Sequence, residues 1–325
     1  MTKSVNQSAF WTRMGHNIFC IDAGYLGPGN ACFYLLEDAG EVAVVETGTS
    51  HSVHRLLELL EELGIAHEQV RYVVPTHVHL DHAGGAGHLI KLFQQATLIM
   101  HPRGARHMAD PGRLIESSIA VYGKTHYHAL YGDVQPIPSV RIREAGDGDT
   151  LMLGNRELLI RHTPGHADHH LCLWDNLSKG WFSGDVFGVS YRSMRLDNDT
   201  LILPTTTPTQ FRPAELIKSV RLLEQYEPER LFLTHFGELA FSPELADDLV
   251  DQVSMYRDIA NACADRDSRK DRIKEKLTAL LLTKLASLNV PQEPLLHKLA
   301  GDLELNAQGL EAWLQRLEKK SRLQT

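Results

Sequence analysis

A chain of 325 residues, 43% hydrophobic and 23% charged, is long enough for one large core plus a smaller appendage, and its composition is globular rather than disordered. A formal charge of -8 offers no attraction to a polyphosphate backbone, so nucleic acid is not an expected partner. Met1 to Arg13 lacks the apolar stretch of an export signal, no run reaches the ~18 apolar residues of a membrane span, and the four cysteines show no CxxC spacing, so a cytoplasmic protein with small buried thiols is expected.

In chain order, Val42-Ala43-Val44-Val45 reads as a buried strand closed by the turn Glu46-Thr47-Gly48. Val53, Leu56, Leu57, Leu60 and Leu63 recur at helical spacing, with Gly64 where a helix would stop. Tyr72-Val73-Val74, a second buried strand, delivers the chain to Thr76-His77, and Thr97 to Met100 is the next. Residues 103 to 145 lack clear periodicity and carry Met108, Tyr122, Tyr127 and Tyr131, which suggests an insertion over a site, the tyrosines lining a pocket or anchoring the insertion. Leu151-Met152-Leu153, Leu158-Leu159-Ile160 and Leu171 to Trp174 read as antiparallel strands. A polar loop after Gly184-Asp185 passes through Tyr191 and Pro204-Thr205-Thr206-Thr207-Pro208 to Pro213, which opens a helix with Leu216, Ile217, Val220 and Leu223 on its apolar face. Leu231-Phe232-Leu233 is the last strand expected. Beyond Pro243 only helical stripes occur, such as Leu245, Leu249, Val253, Tyr256 and Ala260; they cap a pocket, build a homodimer, or do both. The expectation is an α/β (α+β) catalytic domain over 1–242 and a helical extension over 243–325.

The chemistry concentrates where the second strand ends: His77, His79, Asp81 and His82 place four metal-competent side chains within six residues of one loop. His126-Tyr127-His128 lacks a neighbouring carboxylate and a strand leading into it, and is not expected to ligate. Three further candidates follow a strand or sit in a glycine-containing turn: His166 in Thr163-Pro164-Gly165-His166, Asp185 in Ser183-Gly184-Asp185, and His235 in Thr234-His235-Phe236-Gly237. In this order and at these separations, over roughly Asn17 to Glu238, they resemble the metallo-β-lactamase superfamily pattern of HxHxDH, then His, Asp and His.

That resemblance implies a four-layer αββα sandwich holding two divalent metals. His77, His79 and His166 would hold one, Asp81, His82 and His235 the other, and Asp185 would bridge them. Metals about 3.5 to 4 Å apart can share a hydroxide, which would be the nucleophile, with Asp81 also steering the proton. No GxSxG elbow competes. Position 79 is His where flavodiiron relatives have an acidic residue, which favours zinc over manganese or iron. Glu46, standing where the family commonly has Asp, is a candidate for orienting a ligand from behind, as are Thr76 and His170.

Gly165 to His170, with Gly184 to Gly188 and Thr234 to Gly237, look like a group of largely uncharacterised bacterial and archaeal hydrolases, and a metallo-hydrolase domain followed by helices is similar to glyoxalase II and to the thioesterase of the alkylquinolone signal pathway. Hydrolysis of an activated acyl bond in a small molecule is therefore expected, a thioester first. Lactone opening is the rival, although lactonases place a tyrosine three residues after the bridging Asp, where this chain has Gly188. Phosphodiester hydrolysis, or a regulatory module with vestigial activity, would also be compatible with the resemblance.

Overall fold

The computed structural model describes residues 10–195, 200–206, 210–263, 265–288 and 292–323. Met1 to Ala9 and, in the polar loop, Thr207 and Pro208 lie outside the described residues. The chain divides into two compact units, one of Met1–His162, His169–Gly184 and Glu227–Phe241, the other of Thr163–Asp168, Asp185–Tyr226 and Ser242–Thr325. The second unit takes in, besides the residues from Ser242 on, a short loop at Thr163–Asp168 and the segment Asp185–Tyr226, which carries a helix.

The first unit contains two mixed sheets. The larger runs β1 (Trp11–Arg13), β2 (Ile18–Asp22), β3 (Cys32–Asp38), β4 (Glu41–Val45), β5 (Val70–Val74), β6 (Thr97–Met100) and β7 (Ile142–Glu144) in sequence order, antiparallel up to β4 and parallel from β4 to β7. The smaller is built from β8 (Thr150–Leu153), β9 (Arg156–His162), β10 (Leu171–Asp175), β11 (Gly180–Gly184), β12 (Arg230–Leu233) and β13 (Gly237–Ala240). Among the described residues, β11 and β12 pair parallel and the other neighbours in this sheet pair antiparallel.

Side chains alternate across a strand, and in the larger sheet both faces are apolar. Cys32, Tyr34 and Leu36 of β3, with Ala43 and Val45 of β4, face a core shared with Leu158, Ile160, Leu171 and Leu173 of the smaller sheet. Phe33, Leu35, Val42 and Val44 face the opposite core. That core lies under α1 (Val53–Leu63), α2 (Leu80–Ala83), α3 (Ala86–Leu92) and α4 (Pro102–Ala109), through Leu56, Leu60, Ala83, Leu89 and Met108. Helix α1 ends as its sequence indicates: Gly64 adopts φ +66° and its N–H reaches the Leu60 and Glu61 carbonyls.

Two expectations need correction. Residues 103 to 145 are not irregular: α4, α5 (Gly112–Tyr122), α6 (Lys124–Tyr131) and β7 occupy most of them. Nor is Leu231 to Leu233 the last strand, since β13 folds back beside it. All four cysteines are buried thiols.

The second unit is helical: α7 (Pro213–Glu224), opened by Pro213 at its first turn, then α8 (Pro243–Ala262), α9 (Arg269–Ser287), α10 (Gln292–Lys298) and α11 (Ala300–Arg322). Among the described residues, no helix is long and apolar enough to cross a membrane.

One buried ion pair locks β9 to β10. Arg156 Nε donates to Asp175 Oδ1 at 2.8 Å, and Arg156 and Ser178 bind the other carboxylate oxygen. Burial alone would raise the Asp175 carboxyl, but the Arg156 and Ser178 hydrogen bonds outweigh it and hold it below the usual range. Its contribution is therefore present above the unfolded value of ~3.9 and is lost as pH falls through the depressed native value. Arg156→Met, which strands the buried carboxylate, should lower unfolding free energy by about 3 to 5 kcal/mol at neutral pH in urea titrations. The gap from wild type should narrow below roughly pH 4.

Candidate metal centre

The site is assembled around the residue that follows β4. Glu46 adopts φ +63°, a left-handed conformation costly for a non-glycine residue, and its amide donates to Val74 O of β5 at 3.1 Å. Its side chain is 1% exposed. Oε2 accepts from the Thr76 amide at 3.0 Å, while Oε1 accepts from Thr76 Oγ1 at 2.6 Å, His82 Nδ1 at 2.9 Å and Thr234 Oγ1 at 3.0 Å. One carboxylate thus ties together the loop after β5, helix α2 and the residue after β12.

These bonds fix the imidazole tautomers. The single hydroxyl proton of Thr76 goes to Glu46, so the 3.0 Å contact with His77 Nδ1 has the ring donating to Thr76 Oγ1. His82 Nδ1 donates to the carboxylate, His235 Nδ1 to the Asn30 carbonyl at 2.9 Å, and His166 Nδ1 to the Thr205 carbonyl at 3.3 Å. Each of these four rings then presents Nε2 with its lone pair, the arrangement that metal-ligating histidines require.

The presented nitrogens converge within each unit. In the first, Asp81 Oδ2 stands 3.7 Å from His82 Nε2 and 3.4 Å from His235 Nε2, and the three donors lie within 4.8 Å of one another. His77 Nε2 and His79 Nδ1 face each other at 2.6 Å, a separation that needs a proton or a cation between two lone pairs. In the second unit, His166 Nε2 is 3.3 Å from Asp185 Oδ2. Buried imidazoles and carboxylates with fixed tautomers are donors that suit a divalent transition metal.

Behind the donors the packing is close. His170 is fully buried and stacks on His77 at 5.0 Å between ring centroids. Gly184, just before Asp185, has φ +50°, and a Cβ there would lie 2.5 Å from both His170 Nε2 and Thr76 Oγ1. The His169 ring lies 6.2 Å from those of His77, His79 and His107. Burial, with Arg106 and Arg113 nearby, holds His107 below the ordinary imidazole value, so it is neutral at pH 7.

Of the tyrosines, Tyr127 and Tyr131 are buried against Leu80 and Val134, so they anchor α6, while half-buried Tyr122 packs on the same cluster. Burial and then the charges of Tyr25 and Asp81 push the Tyr131 phenol up; burial and the Asp81 charge do the same for Tyr122. Both remain protonated at neutral pH. His126 and His128 are exposed on α6, away from the donor groups. Thr234, which has no role on sequence grounds, donates its hydroxyl to Glu46 as Thr76 does. The signal was the repeated Thr-His pair at the ends of β5 and β12.

A family model described as the metallo-beta-lactamase superfamily matches residues 26–235. Acyl-coenzyme A thioesterase MBLAC2 of Homo sapiens is 29% identical over 189 residues, which cover 53% of this chain and 64% of that relative's length. The solved metallo-beta-lactamase family protein TTHA1429 from Thermus thermophilus superposes with a TM-score of 0.62 at 21% identity, covering 94% of each chain. Protein ST1585 from Sulfolobus tokodaii superposes with a TM-score of 0.61 at 21% identity, over 73% of this chain and 86% of its own. At these identities the likeness shows the fold, two mixed sheets flanked by helices.

Replacing one Glu46 oxygen by an amide group sets a donor against donors. Glu46→Gln should therefore keep the fold, checked by circular dichroism, but weaken metal binding by about 10- to 100-fold in chelator competition.

Proposed function

As the chain belongs to the metallo-beta-lactamase superfamily, we propose that it is a dinuclear metal-dependent hydrolase of an activated acyl bond in a small molecule, a thioester first. The observation that carries this reading is the convergence of Asp81, His82 and His235 with both imidazoles locked at Nδ1. In this reading His77, His79 and His166 hold one metal, Asp81, His82 and His235 hold the second, and Asp185 is shared.

When bound, such metals polarise an acyl carbonyl and lower the pKa of water. The chain supplies the rest. Glu46, Asn30 and Thr205 accept from Nδ1 of His82, His235 and His166 and so hold each Nε2 aimed, so that no ring must turn before the substrate arrives. In this reading Asp81, whose side chain is 18% exposed against 7% for Asp185, is the carboxylate that steers the proton. Five imidazoles and two carboxylates favour zinc over the harder cations.

The likeness to an acyl-coenzyme A thioesterase supports the thioester. The lactonase alternative asks for a tyrosine at position 188. Gly188 has φ +73°, and a Cβ there would lie 2.3 Å from the Leu203 carbonyl oxygen, so no side chain fits. The acidic net charge supports a small-molecule substrate rather than a phosphodiester polymer.

Metal-loaded wild type and Asp185→Asn, assayed on thioester, lactone and phosphodiester panels, test the reading. Wild type should hydrolyse a thioester in a metal-dependent way, and the variant should be slower by at least about a hundredfold. Wild type that holds two metals yet turns over none of these substrates would overturn it.

A further inference from the structure

Helix α11 carries an asparagine where its apolar stripe should continue: Asn306 stands among Leu303, Ala307, Leu310 and Leu314 and is 4% exposed. Asparagine is a poor interior helix residue, and burying its amide is costly unless both ends are bonded. Both are. Oδ1 accepts from the Thr206 amide at 2.8 Å, and Nδ2 donates to the Pro204 carbonyl at 3.1 Å. Thr206 Oγ1 closes the contact by donating to the Asn306 carbonyl at 3.0 Å. Like a strand partner, the side chain spans the two peptide groups that flank Thr205.

The carbonyl of Thr205 is the acceptor that fixes the His166 ring at Nδ1. The rest of the His166 loop is held within the same unit. The Arg212 amide donates to Gly165 O at 2.7 Å, the Arg212 guanidinium pairs with Asp168 at 2.6 Å, and Gln210 accepts from the Asp168 amide at 2.8 Å. Arg316, ten residues along α11 from Asn306, binds the Phe211 carbonyl. Helix α11 therefore grips the segment on both sides of residues 207 to 209.

We propose that Asn306 is a positioning residue for the metal centre: by clamping Pro204 and Thr206 it sets the Thr205 carbonyl and, through it, the orientation of His166. The inference rests on His166 being a metal ligand, as proposed above. It gives the C-terminal helix a task other than shaping a substrate pocket, namely tuning the affinity of one metal of the pair from outside the ligand set.

Cobalt(II) binding to the metal-free full chain reads this without any substrate. Asn306→Ala should weaken one of two cobalt ions by about tenfold in chelator competition and alter its visible d–d spectrum, while the other ion binds as in wild type. Gln308→Ala on the same helix should change neither. If Asn306→Ala does not fold, Asn306→Asp, which retains the acceptor for Thr206 and loses the donor to Pro204, takes its place with the same readouts. A folded variant whose affinities and spectrum match wild type overturns this inference alone. Wild type that binds fewer than two cobalt ions overturns the dinuclear reading and this inference with it.

Discussion

A carboxylate taken out of water is tolerated only when donors replace its hydration, and Glu46 meets that condition with four. The donors come from three separate stretches of chain: Thr76 after β5, His82 on α2 and Thr234 after β12. Leaving any of them unmet in a dry interior would cost on the order of 1 to 3 kcal/mol, so the three stretches are held in one relative position. The left-handed backbone at Glu46 is the strain accepted to aim the carboxylate inward.

The sandwich makes that aim reproducible. Because the larger sheet is packed against a core on both faces, its strands cannot slip or tilt without breaking close side-chain packing on both sides. Strands β4 and β5 therefore end at fixed points, as does β12 of the smaller sheet, whose Phe232 packs in the shared core, and polar residues follow all three. Flexible or metal-competent groups gain little from proximity if their orientation wanders; here the orientation is set by oxygen acceptors behind the rings. The smaller pieces of the design follow the same logic: Gly184 admits His170 against His77, and Asn306 holds the backbone behind His166.

Much of this was legible in the sequence because the candidate metal donors follow strands or sit within short spacings. The HxHxDH segment, His166, Asp185 and His235 could be picked out by residue type and position, and α1 with its Gly64 stop by period alone. What stayed hidden has physical causes. Strands β1 to β3 escape a reading by periodicity, and β2 and much of β3 are buried on both faces, so they show no polar and apolar alternation. Helix α5 buries no residue fully, which blurs its stripe and made residues 103 to 145 look irregular. The positioning contacts were least visible of all. Asn30 and Thr205 act through backbone carbonyls, which carry no side-chain signature, and Asn306 lies 100 residues from the Thr206 it binds.

The proposed function requires this donor set to hold two divalent metals and the chain to open a thioester with them. Calorimetric titration of metal-free wild type with zinc, with acyl-coenzyme A hydrolysis followed at each metal-to-protein ratio, tests it most directly. Two ions per chain should bind, with turnover that appears with them and is abolished by chelation. Hydrolysis that persists in metal-free protein, or a chain that takes up no zinc, would contradict it.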